Sequence, residues 1–223
     1  MAQRRIVVWF ATGNINKKKE LAEILSAAKG VTLDIKIPSD AGLDFDPEEK
    51  GSSFLENSFI KAEALYRLLK ERRPPLYTSG DPIIADDSGI CVDALDGRPG
   101  IFSARYGSGD GGKLKAAERN ALLLAELGDN PHRSARFVCA MVLYYSPDRF
   151  FAAQETMEGE LVKNSESARG EGGFGYDPIL YIPELGRTVA ELPDEEKNLL
   201  SHRGKAGKAI AKILGGKYSG DGE

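Results

Sequence analysis

The chain has 223 residues, of which 41% are hydrophobic and 29% are charged, and its formal net charge is −4. This composition is ordinary for a soluble globular enzyme built as one domain or as two tightly joined lobes. A net negative charge argues against binding to a nucleic-acid backbone, although it stays compatible with a small phosphorylated ligand. No stretch reaches the about 20 apolar residues of a membrane span, and the first apolar run breaks at Thr12, too early for a signal peptide. We therefore expect a cytoplasmic protein that binds neither nucleic acid nor a membrane.

Hydrophobic residues, taken in chain order, alternate between strand and helix patterns. The first half predicts a strand over 6–11, a helix over 17–29 stopped by Gly30, a strand over 31–37, and a helix opened by the capping box Ser53/Glu56 and ended by Pro74 and Pro75. The second half predicts a helix over 115–127 stopped by Gly128, a hairpin of 135–145 and 149–157, a strand over 179–182, and a last helix over 202–214 capped by Ser201. Mixed strands and helices throughout indicate an α/β fold.

Two adjacent carboxylates, Asp86 and Asp87, follow directly behind the apolar run at 83–85. At the end of a short buried strand such a pair is costly unless a positive partner meets it, and in an acidic, cysteine-poor chain that partner is a hard divalent cation. Glu48 and Glu49 of the acidic loop at 38–52 would complete such a metal site. The alternatives are that the aspartates only begin a turn and that the acidic loop is simply solvated.

Between the first strand and the first helix lies a segment suited to binding an anion. It consists of Thr12, Gly13, Asn14, Ile15, Asn16 and Lys17. Such a segment offers backbone N–H groups and a helix dipole, Gly13 allows close approach, and Lys17 adds a positive charge. The alternative is an ordinary helix cap beside solvated lysines. On the next helix, Asn57 and Lys61 lie one turn apart and are expected to point together at a ligand.

A glycine-rich loop covers residues 170–175 and formally matches GxGxxG. No helix pattern follows it, so a dinucleotide-binding role is excluded. The loop would instead display Phe174 and Tyr176 as a flat surface on which a base can stack, unless it is only a mobile surface loop. At the start of the last helix, Arg203 brings a planar donor fork suited to oxygen acceptors.

Six segments that carry these features occur in a fixed order along nearly the whole chain. They are Ala11-Thr12-Gly13-Asn14 with Lys17, Glu56-Asn57 with Lys61-Ala62, Ala85-Asp86-Asp87-Ser88-Gly89, Pro99-Gly100 with Ser103-Ala104-Arg105-Tyr106, Gly172-Gly173-Phe174-Gly175-Tyr176-Asp177-Pro178, and Glu196-Lys197 with Ser201-His202-Arg203-Gly204. Together they resemble the inosine and xanthosine triphosphate pyrophosphatases, which clear deaminated purine nucleotides. Each motif is weak alone, but six in register are specific. The departures are Asn16, an extended segment over 72–81, and the tail beyond Gly215.

The resemblance implies an α/β fold with an elongated central mixed sheet flanked by helices, and two lobes with a substrate cleft between them. We expect one two-lobed domain over 1–215 and a flexible tail over 216–223. The resemblance also implies a homodimer and Mg²⁺-dependent hydrolysis of ITP, dITP or XTP to the monophosphate plus pyrophosphate.

Carried over position by position, the resemblance assigns three groups of residues. Phosphates are held by Thr12, Gly13, Asn14, Ile15, Asn16, Lys17 and Lys61. Glu49 and Asp87 bind the metal, Asp87 also acts as general base, and Ser88 beside it touches the substrate. The base and sugar are received by Phe174, Gly175, Tyr176, Asp177, Lys197, His202 and Arg203. We expect Lys17 and Lys61 to be exposed, and Arg203 to donate to a 6-oxo purine and to be left unpaired by adenine.

Two other functions compete with this one. A septum-formation-inhibitor type of nucleotide pyrophosphatase prefers modified pyrimidines, and the segments 174–177 and 201–204 argue against it. A nucleotide-binding sensor without hydrolysis has little use for an acidic cluster that faces phosphates, so Glu49, Asp86 and Asp87 argue against that function.

Overall fold

The computed structural model describes residues 4–26, 28, 30–72, 77–78, 80–109, 112 and 114–218. The strands are β1 (Arg4–Phe10), β2 (Val31–Lys36), β3 (Ile83–Val92), β4 (Ser134–Ser146), β5 (Arg149–Leu161), β6 (Leu180–Ile182) and β7 (Arg187–Thr188). The α-helices are α1 (Ile15–Leu25), α2 (Phe54–Arg72), α3 (Ala116–Leu127), α4 (Asp194–Leu200) and α5 (His202–Tyr218). The predicted α/β fold is confirmed. No helix in these ranges is both long and apolar enough to cross a membrane.

All seven strands belong to one mixed sheet in the order β2-β1-β3-β4-β5-β6-β7. β1 pairs in parallel with β2 on one side and with β3 on the other, whereas β5–β6 and β6–β7 are antiparallel. β4 and β5 form the predicted hairpin, with longer strands than the sequence indicated. The segment after β1 therefore leaves a central strand whose two neighbours run in the same direction, which is where α/β sheets commonly bind ligands.

Side chains of β1 alternate between two separate hydrophobic clusters. Ile6, Val8 and Phe10 pack with α1 and α5, where Leu21 and Leu214 are fully buried. The intervening residues pack with α2, where Ala62, Leu65 and Leu69 are fully buried. Because successive residues of a strand point to opposite faces, this part of the sheet carries one helix layer on each face.

The described residues form two compact units. The first contains the chain up to Asp87, the segment Cys139–Glu155, and the residues from Arg203 onward; the second contains Ser88–Val138 and Thr156–His202. The chain passes from one unit to the other inside β3, β4 and β5. In the second unit, α3 packs on β6 and on those parts of β3, β4 and β5 that belong to this unit. The hydrophobic cluster between them includes Leu123, Leu180 and Phe137. The predicted cleft between two lobes stays a prediction.

Helix ends differ from those predicted where a cap overrides the hydrophobic pattern. α1 begins two residues early because the Asn14 side chain accepts hydrogen bonds from the backbone of Asn16 and Lys17, and it ends at Leu25, well before Gly30. α5 runs to Tyr218, four residues beyond the predicted end of the last helix, and 219–223 lie outside the described residues, so the predicted flexible tail stays a prediction. Pro74 and Pro75 also lie outside them.

Two glycines of α5 allow a test of how tightly α1 and α5 pack. A Cβ at Gly207 would lie 2.5 Å from Cγ2 of Ile24, whereas a Cβ at Gly216 would meet nothing within 4 Å. We expect Gly207→Ala to lower the free energy of unfolding by about 1–2 kcal/mol, although alanine is the better helix former. Gly216→Ala should be neutral or stabilising by up to about 1 kcal/mol. Urea unfolding of both variants checks this, and equal effects would contradict the close packing.

Candidate active site

The two adjacent aspartates lie in the middle of β3, not at its end. β3 continues to Val92, while its pairing with β1 stops at Phe10–Ile84 and a last backbone hydrogen bond from Ala11 to Ile84. The interpretation of Asp86 and Asp87 as the start of a turn, and as the close of a short strand, is therefore wrong. Since β3 continues through them, the two carboxylates point to opposite faces of the sheet.

Asp87 faces α2, where the pair Asn57/Lys61 meets it. The Asn57 amide nitrogen donates to Oδ2 of Asp87 over 3.1 Å, and the Lys61 ammonium donates to Oδ1 over 3.2 Å. Lys61 also lies 3.3 Å from Oε2 of Glu49. The prediction that Asn57 and Lys61 point together is confirmed, but the group they share is the Asp87 carboxylate.

Lys61 is almost fully enclosed, which overturns the expectation of an exposed lysine. Burial alone would lower the pKa of its ammonium. The carboxylates of Asp87, Asp86 and Glu49 outweigh the burial and raise the pKa above its ordinary value. Lys61 therefore carries its charge at neutral pH.

Asp86 faces α1 and α5 and is 1% exposed. The Lys17 ammonium donates to both of its oxygens over 3.0 and 3.1 Å, and Nε of Arg203 donates to Oδ2 over 3.1 Å. Burial would raise the pKa of this carboxyl, but the charges of Lys17 and Arg203 hold it well below its usual range. Asp86 is thus ionised at neutral pH and is the shared partner of two cations. Lys17 is half-buried, with 17% of its side chain exposed, so it is not the exposed lysine expected from the sequence.

Arg203 is held on both sides by carboxylates. Besides the contact with Asp86, its Nη1 donates to Oε2 of Glu20 over 2.6 Å, and the residue is 2% exposed. The argument that adenine would leave Arg203 unpaired is therefore wrong, because the guanidinium has two carboxylate partners within its own unit. A contact between Arg203 and a base stays a prediction.

Glu20 was missed by the sequence analysis. It lies three residues after Lys17 on α1, so both side chains fall on one face of the helix. This spacing was the available signal, but nothing in the sequence indicated that Arg203 of α5 would meet Glu20.

The loop after β1 is organised by two side chains. Thr12 accepts a hydrogen bond from the backbone of Asn14 over 3.1 Å, and Asn14 caps α1. The residues from Gly13 to Asn16 are exposed. Gly13 does not have a positive φ, and a Cβ there would meet nothing within 4 Å. The fold therefore does not need a glycine at this position, and a Cβ there would point into open space.

In the second unit, Asp177 organises the glycine-rich loop. Its Oδ2 accepts from the Phe174 backbone over 2.8 Å and from the Lys197 ammonium over 2.9 Å. A Cβ at Gly173, whose φ is +72°, would lie 2.0 Å from that oxygen. Lys197 belongs to α4, a helix that the sequence analysis did not predict.

The two aromatic residues of this loop have different roles. Phe174 is 37% exposed, and its ring centroid lies 5.1 Å from the Lys197 ammonium. Tyr176 is 5% exposed, its hydroxyl donates to the Ser103 carbonyl over 2.8 Å, and burial raises its pKa to about 12. The prediction that Tyr176 offers a stacking surface is therefore wrong, since its ring is part of the core.

The remaining predicted site residues of the second unit are Gly175, His202 and Ser88. Gly175 has a φ of +68°, and its carbonyl accepts from the Asn120 side chain of α3 over 3.1 Å. His202 is buried and stacks on Phe137 with ring centroids 5.0 Å apart. Ser88 follows Asp87 in β3 and is half-buried.

Comparison with known proteins places this arrangement in a family. The model of the Ham1 family matches residues 8–213. A dITP/XTP pyrophosphatase from Treponema denticola is 46% identical over 209 residues, which cover 94% of this chain and 98% of the relative. One from Geobacillus kaustophilus is 44% identical over 218 residues, covering 93% of this chain and 95% of the relative.

Solved structures agree with the sequence relatives. The Staphylococcus aureus Ham1 protein superposes with a TM-score of 0.76 at 35% identity, over 95% of this chain and 99% of that one. A HAM1 protein from Coxiella burnetii gives a TM-score of 0.76 at 33% identity, over 94% and 98% of the two chains. The chain belongs to the Ham1 family.

Proposed function

We propose that this protein is a nucleoside triphosphate pyrophosphatase that hydrolyses deaminated purine nucleotides (ITP, dITP and XTP) to the monophosphate and pyrophosphate. The observation that carries the proposal is the Asp87 carboxylate, held by Lys61 and Asn57 beside Glu49. Relatives that cover nearly the whole chain are named dITP/XTP pyrophosphatases. A buried carboxylate between a lysine and a second carboxylate suits charge-neutralised attack on a phosphate.

In this mechanism the chain positions and neutralises the triphosphate. The exposed α1 N-terminus and Lys17 bind phosphate oxygens, and Lys61 offsets the charge that develops when the bond to pyrophosphate breaks. Asp87 accepts a proton from the water that attacks the α-phosphorus. Asp86 does not take part in the proton transfer, since it stays charged between Lys17 and Arg203.

Glu49 and Asp87 suit a magnesium ion. Their carboxylates already share one cationic partner, the Lys61 ammonium, at 3.3 and 3.2 Å. Among the described residues, no group of three or more His, Cys, Asp or Glu side chains is placed to hold a metal. Two carboxylates completed by water and substrate phosphates are a usual arrangement for Mg²⁺, and when bound the ion would supply charge neutralisation at the phosphates.

The base and sugar are received in the second unit. Phe174 offers a partly exposed ring for stacking, and Lys197 and Asp177 offer polar groups beside it.

A homodimer in the cytoplasm, without nucleic acid or membrane as a partner, is part of the same proposal.

Substitution of the two aspartates separates chemistry from structure. We expect Asp87→Asn to keep the fold and to lower kcat by about 10²-fold or more, because it removes both a base and a metal ligand. We expect Asp86→Asn to lower the free energy of unfolding by about 3 kcal/mol, because the buried Arg203 and the half-buried Lys17 lose their shared carboxylate. Pyrophosphate release from ITP with Mg²⁺, together with thermal unfolding, measures both effects. Binding of ITP without any release by the wild type would support the sensor instead.

Gly13 tests the phosphate site. We expect Gly13→Ala to fold normally and to lower kcat/KM for ITP by about 10-fold or more, because the added methyl group meets the phosphates and not the protein. Gly109→Ala is the matched control, since a Cβ there also meets nothing within 4 Å. Equal kinetics for the two variants would remove this loop from the site.

Phe174 tests base stacking. Stacking on an aromatic ring contributes about 1–3 kcal/mol per base, so Phe174→Leu should raise KM for ITP by at least about 5-fold with a smaller change in kcat. Phe151→Leu changes a phenylalanine of similar exposure, 41% against 37%, and serves as the control. An unchanged KM in Phe174→Leu would show that the base binds elsewhere.

A further inference from the structure

Lys61 occupies the oxygens that the metal would use. Its Nζ lies 3.2 Å from Oδ1 of Asp87 and 3.3 Å from Oε2 of Glu49, and its side chain is 10% exposed. An ammonium between two carboxylates offsets one of their two negative charges. Any second cation that is ligated by the same oxygens meets this charge at close range.

The other oxygen of Asp87 accepts a hydrogen bond from a buried residue that makes a second hydrogen bond of its own. Asn57 is fully buried and donates to Oδ2 of Asp87, while its own Oδ1 accepts from the Gly51 backbone over 2.8 Å. The two contacts fix the orientation of the amide, because a flipped amide would lose both. The backbone of Gly51 packs closely against this amide, since a Cβ at Gly51 would lie only 2.7 Å from the same Oδ1.

Of the two side-chain donors that the described residues place on Asp87, Lys61 is therefore the one that can give way. Its four-carbon stem can swing the ammonium to a new anion without moving the helix. A triphosphate, which suits the phosphate-binding role proposed for Lys61, offers such an anion.

From these contacts we propose that Lys61 and the divalent cation compete for the Glu49–Asp87 pair. The protein alone then binds the cation weakly, and binding tightens when the triphosphate draws Lys61 away from the pair. This inference rests on the proposed function for the identity of the metal ligands, but its test needs no turnover.

The test measures Mn²⁺ binding to the full chain without nucleotide, by the electron paramagnetic resonance signal of unbound Mn²⁺. We expect Lys61→Met to lower the Kd for Mn²⁺ by about tenfold or more, because no ammonium has to be displaced. Lys61→Arg keeps the charge and should bind Mn²⁺ as weakly as the wild type. Lys17→Met is the matched control, because it removes the same charge from Asp86 and not from Asp87; its Kd should change by less than about threefold.

Equal tightening in Lys61→Met and Lys17→Met would overturn the proposal, since it would reflect only the general electrostatic field. No tightening in Lys61→Met would overturn it as well. Lys61→Gln, which can still donate to Asp87, is measured in parallel so that a folding defect of the methionine variant does not decide the outcome. As a second measurement, saturating Mn²⁺ should raise the Tm of Lys61→Met and of Lys61→Gln more than it raises the Tm of the wild type.

Release of pyrophosphate from ITP by the wild type is assayed separately. If release fails while Lys61→Met still tightens Mn²⁺ binding, the competition stands and the proposed reaction does not. If release occurs and the affinities stay equal, only the competition is wrong.

Discussion

In β3, successive side chains point to opposite faces of the sheet, and this alternation separates two carboxylates that are neighbours in the chain. Asp86 meets Lys17 and Arg203 on the face of α1 and α5, whereas Asp87 meets Asn57 and Lys61 on the face of α2. Both carboxylates are buried, so each would be costly without its cation. The positions of α1, α2 and α5 are therefore tied to one dipeptide through ion pairs as well as through hydrophobic packing.

The two carboxylates suit different tasks because their surroundings differ. Asp86 has charged donors on both oxygens, and its partner Arg203 is held in turn by Glu20. Such a network fixes geometry and leaves little room for a change of charge. Asp87 has one neutral and one cationic donor and lies beside the half-buried Glu49. Its partners can be exchanged at lower cost, which suits the metal-binding and proton-accepting role that we propose for Asp87.

Local signals in the sequence were enough for much of the fold. The end of α3 before Gly128 and the shared direction of Asn57 and Lys61 follow from residue spacing within one or two helix turns. The hairpin of β4 and β5 follows from two hydrophobic runs that are joined by a short turn. The middle of β3 did not, because Asp-Asp-Ser-Gly has the composition of a turn and only burial between two helix layers makes it a strand. Tyr176 shows the same limit. The sequence predicts that its ring is exposed for stacking, but its hydroxyl donates a hydrogen bond to the carbonyl of Ser103, which is distant in sequence, and the ring lies in the core.

The partners of the buried charges are contributed at very different times during synthesis. Lys17 precedes Asp86 by 69 residues, whereas Arg203 follows it by 117 and lies 183 residues after Glu20. While the chain emerges from the ribosome, Asp86 therefore lacks the guanidinium of Arg203 until 117 further residues have been synthesised. The buried ion pairs of the first unit are complete only once α5 has been synthesised, so this unit depends on contacts between residues that are distant in sequence. A nascent chain that stalls before Arg203 would contain Asp86 and Glu20 without the guanidinium that offsets the cost of burying their carboxylates.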